Sequence, residues 1–327
     1  MTIMTYSHAV YDAQAQEMRR DPKVFIAGED VERKHSKDLF EEFGAKRVRN
    51  TPISEAQIIS LGVGAAAMGL RPILTMEFMD FLGCSMDEMM NQAAKMTYML
   101  DGQTHLPMVI SSTMGAGIRA AAQHSQSLES IFAHIPGLKV VTLSSPRKAK
   151  GLFSQAIRDN NPVLVVEHKC LTGMEEDVPD GPFVLPLDKI DVVREGEDIT
   201  FVTWGRMVYK CLEVAKELEK KNINAEVVDI VSLMPLDVDG ILESVKKTGR
   251  LVIVHEATLH GGFGGEIAAL AAEHAFSSLK GPIKRIGAPF TPVPFAPVLE
   301  DLYLPTEAQI LEAANALLKM NSVNDIM

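Results

Sequence analysis

The chain has 327 residues, enough for about two domains that each bury a core. With 32 Lys and Arg against 43 Asp and Glu it carries a formal charge of −11 and no basic runs, which argues against phosphate backbones or anionic lipid as partners. Hydrophobic residues at 46% and charged residues at 23% exclude disorder as the main state.

In chain order, residues 5–20 read as a helix that stops before Asp21-Pro22, and residues 24–27 as a buried strand. No basic segment followed by an apolar one opens the chain, so no secretory signal is expected. A second helix follows Pro52. Ser54 with Gln57 three positions on fits a capping box, which makes Ser54 the N-cap, Glu55 the first helical residue and Gly69 the stop. Strands are expected at 73–78, 108–112, 139–143 and 163–167, with helices at 85–99, 125–134 and 146–159. From 171 to 187 the pattern dissolves into Gly, Pro and acidic residues, the best place for a domain boundary. Strands at 199–204, 225–230 and 251–255 then alternate with helices at 208–221, 238–247 and from Gly264, and a proline-rich stretch precedes a last helix at 306–319. This alternation predicts an α/β fold built on mainly parallel sheets. The long uncharged runs 56–70 and 102–118 are broken by Gly, Ser, Gln, His or Pro and do not read as membrane spans. Cys84, Cys170 and Cys211 are too few and too far apart for a disulfide framework or metal knuckle, which points to a reducing, cytoplasmic setting.

Gly115-Ala116-Gly117-Ile118-Arg119-Ala120 matches the G-x-G-x-x-A form of a dinucleotide fingerprint. The segment after it is polar, and Leu143-Ser144-Ser145 stands where a ribose-binding acid belongs, so a nicotinamide dehydrogenase is disfavoured. The glycines of 261–265 read more simply as a tight turn before a helix than as an anion site. Met86, Met89, Met90 and Ala93 share one helical face, read as a subunit interface. His124, His134, His168 and His255 each have a structural reading in isolation. No metal-hydrolase, P-loop or serine-esterase motif occurs. Glu55 read alone is a routine charge in a first helical turn, held ionised by the helix dipole; a catalytic role needs burial against a cofactor to oppose that.

Six segments occur in order: Thr51-Pro52-Ile53-Ser54-Glu55, Gly69-Leu70-Arg71-Pro72, Asn91-Gln92-Ala93-Ala94-Lys95, Gln123-His124-Ser125-Gln126, Pro136-Gly137-Leu138-Lys139-Val140-Val141 and Ala156-Ile157-Arg158-Asp159-Asn160-Asn161-Pro162. Together they resemble the β subunit of thiamine-diphosphate-dependent 2-oxo acid dehydrogenase components, nearly end to end. Residues 115–124, with Thr291-Pro292-Val293-Pro294-Phe295 and Leu299-Glu300-Asp301, resemble acetoin dehydrogenase most.

The resemblance implies two doubly wound domains: a transketolase-like pyrimidine-binding domain at 1–172, a linker at 173–196, and a transketolase C-terminal-like domain at 197–327. It implies an α2β2 heterotetramer with an α subunit, and a lipoyl-bearing acyltransferase as acceptor. The Gly-Asp-Gly…Asn signature for Mg²⁺ and diphosphate is absent from this chain, so the partner is expected to supply it. Glu55 would bond the pyrimidine N1′ and favour the imino tautomer whose nitrogen takes the cofactor's C2 proton. His124 would assist proton transfer at the reacting carbon or the lipoyl group, and Phe81 would pack on the pyrimidine. Met108, Ala156, Ile157, Asp159 and Asn161 resemble a potassium site of some relatives. Acetoin would yield acetaldehyde and a two-carbon unit that acylates the lipoyl group; the alternatives are a decarboxylating pyruvate or branched-chain 2-oxo acid dehydrogenase subunit, or a non-catalytic assembly subunit. Two departures from the pattern stand out. Only Val31-Glu32-Arg33-Lys34-His35-Ser36-Lys37 follows Gly28-Glu29-Asp30, where acetoin relatives carry a long glycine-rich insertion, and Thr75 stands where relatives often have Glu, with the acid displaced to Glu77. A Glu77 directed into the site would bind cofactor surroundings and disfavour a carboxylate-bearing substrate.

Overall fold

The computed structural model describes residues 1–31 and 37–320. Much of the short loop after Asp30 lies outside the described residues. Met1–Met114 with Ile131–Leu187 form one compact unit, and Gly115–Ser130 with Asp188–Met327 form the other. Among the described residues no helix is long and apolar enough to cross a membrane.

In the first unit six parallel strands lie in the order Lys139–Thr142, Val163–His168, Val109–Met114, Arg71–Phe78, Val24–Gly28 and Val48–Asn50. The central ones are covered on both faces, with Leu74, Ile110 and Leu164 fully buried, which is why they read as apolar runs rather than alternations. Helix Tyr6–Arg20 starts at Thr5, whose hydroxyl accepts from His8 N at 3.2 Å. It packs against Pro146–Arg158, and Arg158 pairs across with the buried Glu17 at 2.7 Å. Helix Glu55–Ala67 begins at the expected residue, but Ser54 makes no capping bond. Its ψ is 88°, against 156° at Thr5, so the expected capping box does not form.

The helix expected at 85–99 is instead three short pieces: a 3-10 segment Met79–Ser85, a π-helix Glu88–Ala93 and one α turn Met96–Met99. Ala94 N bonds Met89 O at 3.0 Å, the five-residue spacing of a π turn, which sends Met89, Ala93 and Ala94 inward together and leaves Met90 outside. The methionine face drawn with α spacing is therefore split. The stretch expected as a linker carries strand Glu175–Val178, antiparallel to Thr2–Thr5, and strand Asp191–Arg194.

The second unit has five strands in the order Lys284–Ala288, Leu251–Thr258, Ile199–Thr203, Ala225–Asp229 and Asp191–Arg194, all parallel except the last. Phe201, Val227 and Val254 meet helices Met207–Glu219 and Glu307–Leu318 through Cys211, Leu218, Ile310 and Leu317. Burial pushes the Cys211 thiol up to about 12, so it behaves as a core side chain, and all three cysteines are free. The last helix opens with a complete capping box between Thr306 and Gln309. Thr306→Ala is expected to cost about 1 kcal/mol of stability, read by chemical denaturation; a change within error would remove the cap from the account of this terminus.

Candidate active site

In open parallel sheets the carboxyl ends of the strands border the ligand crevice, and the first unit gathers its unusual polar residues there. At the ends of strands Val24–Gly28 and Val48–Asn50, Thr51 N donates to Gly28 O at 2.9 Å and Val31 N to Asn50 Oδ1 at 3.1 Å. These bonds set the start of the helix whose first residue is Glu55. Glu55 is half-buried and makes no hydrogen bond or ion pair among the described residues, and the nearby Thr51 Oγ1 is buried without a partner among them.

Strand Arg71–Phe78 ends in a bulge: Met76 pairs with Ser112 and Phe78 with Thr113, which leaves Glu77 as the extra residue. The Thr113 hydroxyl donates to the Glu77 carbonyl and fixes the bulge. Just beyond, the Phe78 and Phe81 rings meet edge to face at 5.8 Å, and Lys169 Nζ lies 4.7 Å from the centre of the Phe78 ring. On the neighbouring strands Ser111 Oγ donates to Glu167 Oε1 at 2.7 Å. Burial, with the Glu77 carboxylate adding to it, pushes the Glu167 carboxyl up to about 7 against the opposing Ser111 bond. The same burial and the same two acids raise the Tyr11 phenol. Glu55, Glu77 and Phe81 thus lie at the carboxyl edge of one sheet. Glu167 and Ser111 were missed in the sequence, where the signal was an acid closing the apolar run of 163–166.

His124 lies in Gly115–Ser130, a segment of the second unit. No helix opens directly after Gly115–Ala120, so the strand–turn–helix context of a dinucleotide fingerprint is missing. Helix formation begins only at Glu129, not at the expected 125, because Glu129 accepts from Trp204 Nε1 at 3.0 Å and Gln126 O accepts from Gly115 N at 3.3 Å. The oxygens and residues expected for potassium have protein partners: Arg71 donates to Ile157 O at 2.9 Å and to Asp159 O at 2.6 Å, Val163 N donates to Met108 O at 3.0 Å, and Lys139 pairs with the Asp159 carboxylate. Among the described residues no three His, Cys, Asp or Glu side chains group as metal ligands. His168 Nδ1 accepts from Cys170 N at 3.1 Å, capping a short turn. His255 is buried and pushed down to about 4 by that burial; a Cβ at Gly262 or Gly264 would meet its ring at 2.7 Å, so this glycine turn exists to let backbone close on an imidazole.

Two family descriptions match the chain: "Transketolase, pyrimidine binding domain" over residues 3–174 and "Transketolase, C-terminal domain" over residues 188–310. The chain is 47% identical over 326 residues to the β subunit of an acetoin:2,6-dichlorophenolindophenol oxidoreductase from Cupriavidus necator, covering 95% of this chain and 96% of that protein. It is 42% identical over 311 residues to a 2-oxoisovalerate dehydrogenase subunit β from Bacillus subtilis, covering 93% and 95%. A solved split-gene transketolase superposes with a TM-score of 0.81 at 23% identity, covering 97% of this chain and 99% of that one, a likeness of fold.

Proposed function

The chain belongs to the transketolase-like family of β subunits of thiamine-diphosphate-dependent dehydrogenase components, and from that membership we propose that it holds the aminopyrimidine half of the cofactor in an acetoin-cleaving enzyme. The observation that carries this reading is the Glu55 carboxylate in a first helical turn, unengaged among the described residues, four positions after Thr51, whose buried hydroxyl likewise has no partner among them. A heterocycle bearing ring nitrogens and an amino group satisfies both, and the half-buried Phe81 offers it an aromatic neighbour. Thiamine diphosphate, when bound, supplies an acidic carbon and an electron sink. Glu55 holds a proton at the pyrimidine nitrogen; His124 moves one at the substrate or acceptor; Phe81 orients the ring. An α subunit contributes the Mg²⁺ and diphosphate half in an α2β2 assembly, and a lipoyl-bearing acyltransferase receives the acyl group. A potassium ion at the oxygens named for it would share Ile157 O and Asp159 O with Arg71, each carbonyl keeping a second lone pair for a cation.

The acetoin reading is supported by residues 115–124 and 291–301 and by the 47% identity to an acetoin oxidoreductase β subunit, and Glu77 adds to it. The Glu77 bulge places a second carboxylate at the sheet edge with Glu167; directed into the site, it would disfavour a carboxylate-bearing substrate more than neutral acetoin. The chain co-expressed with its α subunit, thiamine diphosphate and Mg²⁺ is expected to reduce dye with acetoin at a kcat/KM roughly tenfold or more above pyruvate or branched 2-oxo acids, the size of one like-charge repulsion of about 1.4 kcal/mol. Preference for a 2-oxo acid would keep the cofactor role and overturn the substrate. No cofactor-dependent turnover with any of them would return the chain to an assembly role.

A further inference from the structure

The segment carrying His124 has an unusual backbone. Gly115 and Gly117 have φ of 97° and 106°, and Arg119 and Ala121, which are not glycine, both have φ of 62°. Left-handed conformations at non-glycine residues are strained and persist only where the surroundings over-determine them. From Ala116 to Arg119 two buried carboxylates do so. Glu256 Oε1 accepts from Ala116 N at 2.6 Å. Glu300, with no exposed surface, accepts from Gly117 N at 2.9 Å through Oε1, and from Arg119 N at 3.2 Å and Arg119 Nη1 at 2.5 Å through Oε2. The other Arg119 nitrogen reaches Asp301 at 2.7 Å. Ala116 itself is buried against Ala288, Val293, Tyr303 and Leu304. The base of the loop is thus welded to the second unit, and the 3.3 Å bond from Gly115 N to Gln126 O closes it into a hoop. His124 rides on that hoop, its N–H donating to Ala121 O at 3.4 Å.

We propose that Glu300, seated in the amides of Gly117 and Arg119 and paired with Arg119, is the positioning residue that sets His124 for its part in the reaction. This rests on the role given to His124 above. Glu300 touches neither substrate nor cofactor; it acts through the hoop. Three donors converge on one carboxylate, so the charge is essential. Glutamine keeps the shape but turns an N–H₂ toward amide and guanidinium donors that have no use for one. The C-terminal domain then has a defined catalytic duty: it owns the loop.

The test is a double-mutant cycle on the α–β holoenzyme with thiamine diphosphate and Mg²⁺: Glu300→Gln, His124→Ala and the pair. Glu300→Gln is expected to lower kcat by on the order of tenfold to a hundredfold with KM nearly unchanged, the size that a misplaced catalytic group produces. Added to His124→Ala it should cost nothing more, because both act through one side chain. Amides of 115–126 should exchange faster in Glu300→Gln and unchanged in His124→Ala. If the two losses multiply, or Glu300→Gln stays within about twofold of the parent, the inference is overturned while His124 keeps its role. If His124→Ala alone leaves turnover intact, the role of His124 fails and takes the inference with it. Should Glu300→Gln not assemble, Glu300→Asp replaces it in the same cycle: the charge is kept but withdrawn by one methylene, and a smaller loss, again absent from the His124→Ala background, is the supporting result.

Discussion

Glu55→Gln should lower cofactor-dependent turnover by on the order of 10²–10⁴-fold, the usual weight of a positioned acid or base, while the α–β assembly keeps its mass. The side chain is half-buried in the first turn of helix Glu55–Ala67 and bonded to nothing described in this chain. Glutamine therefore keeps volume and reach, and loses the ionisable carboxyl group. Its structural cost is small, since a charge in a first helical turn is worth about 0.3–1 kcal/mol. A large kinetic loss beside a small stability change is the signature of a catalytic carboxylate. Steady-state dye reduction and thermal melting of the same preparation give both numbers. A loss of less than about tenfold would leave Glu55 as a helix-terminal charge.

The second large effect is on stability and carries a sign. The Glu167 carboxyl titrates at about 7 in the fold, raised from 4.5 chiefly by burial. Below pH 4.5 folded and unfolded chains both hold the proton. As pH rises through the interval up to 7 the unfolded chain loses it first, so stability falls, and above 7 the deficit is constant. Its ceiling is about 3 kcal/mol at roughly 1.4 kcal/mol per unit. Glu167→Gln keeps a partner for Ser111 and removes the titration. The variant should melt higher than the parent at pH 8 and about level with it at pH 4.5. An equal offset at both pH values would show that packing, not ionisation, separates them.

Much of this fold is legible in the sequence because parallel strands covered on both faces are written as unbroken apolar runs. Those of 73–78, 139–143 and 163–167 all fall on observed strands. What sequence spacing could not separate was α from π closure at Glu88–Ala93, where one extra residue per turn parts the exposed Met90 from the buried Met89 and Ala93. Thr2–Thr5 was also invisible, since its partner is Glu175–Val178 and neither segment is apolar enough to announce a strand alone. Of the residues proposed for the site, Glu55 and His124 stand in the ordered motifs, while Phe81 and Glu77 were singled out against the family pattern around them. Glu167, Glu256 and Glu300 were not, because a carboxylate that serves buried donors has no pattern of its own; its meaning depends on the amides and hydroxyls that folding brings to it.

The chain passes from the first unit to the second at Gly115, returns at Ile131 and leaves again at Asp188. For anyone recombining such subunits the natural crossover at residue 187 is therefore misleading. A chimera cut there joins the 115–130 segment of one parent to the Glu256, Glu300 and Trp204 of another. Transplanting residues 115–130 together with 188–320 keeps donor and acceptor from the same lineage, and is the boundary a modular design of this fold should respect.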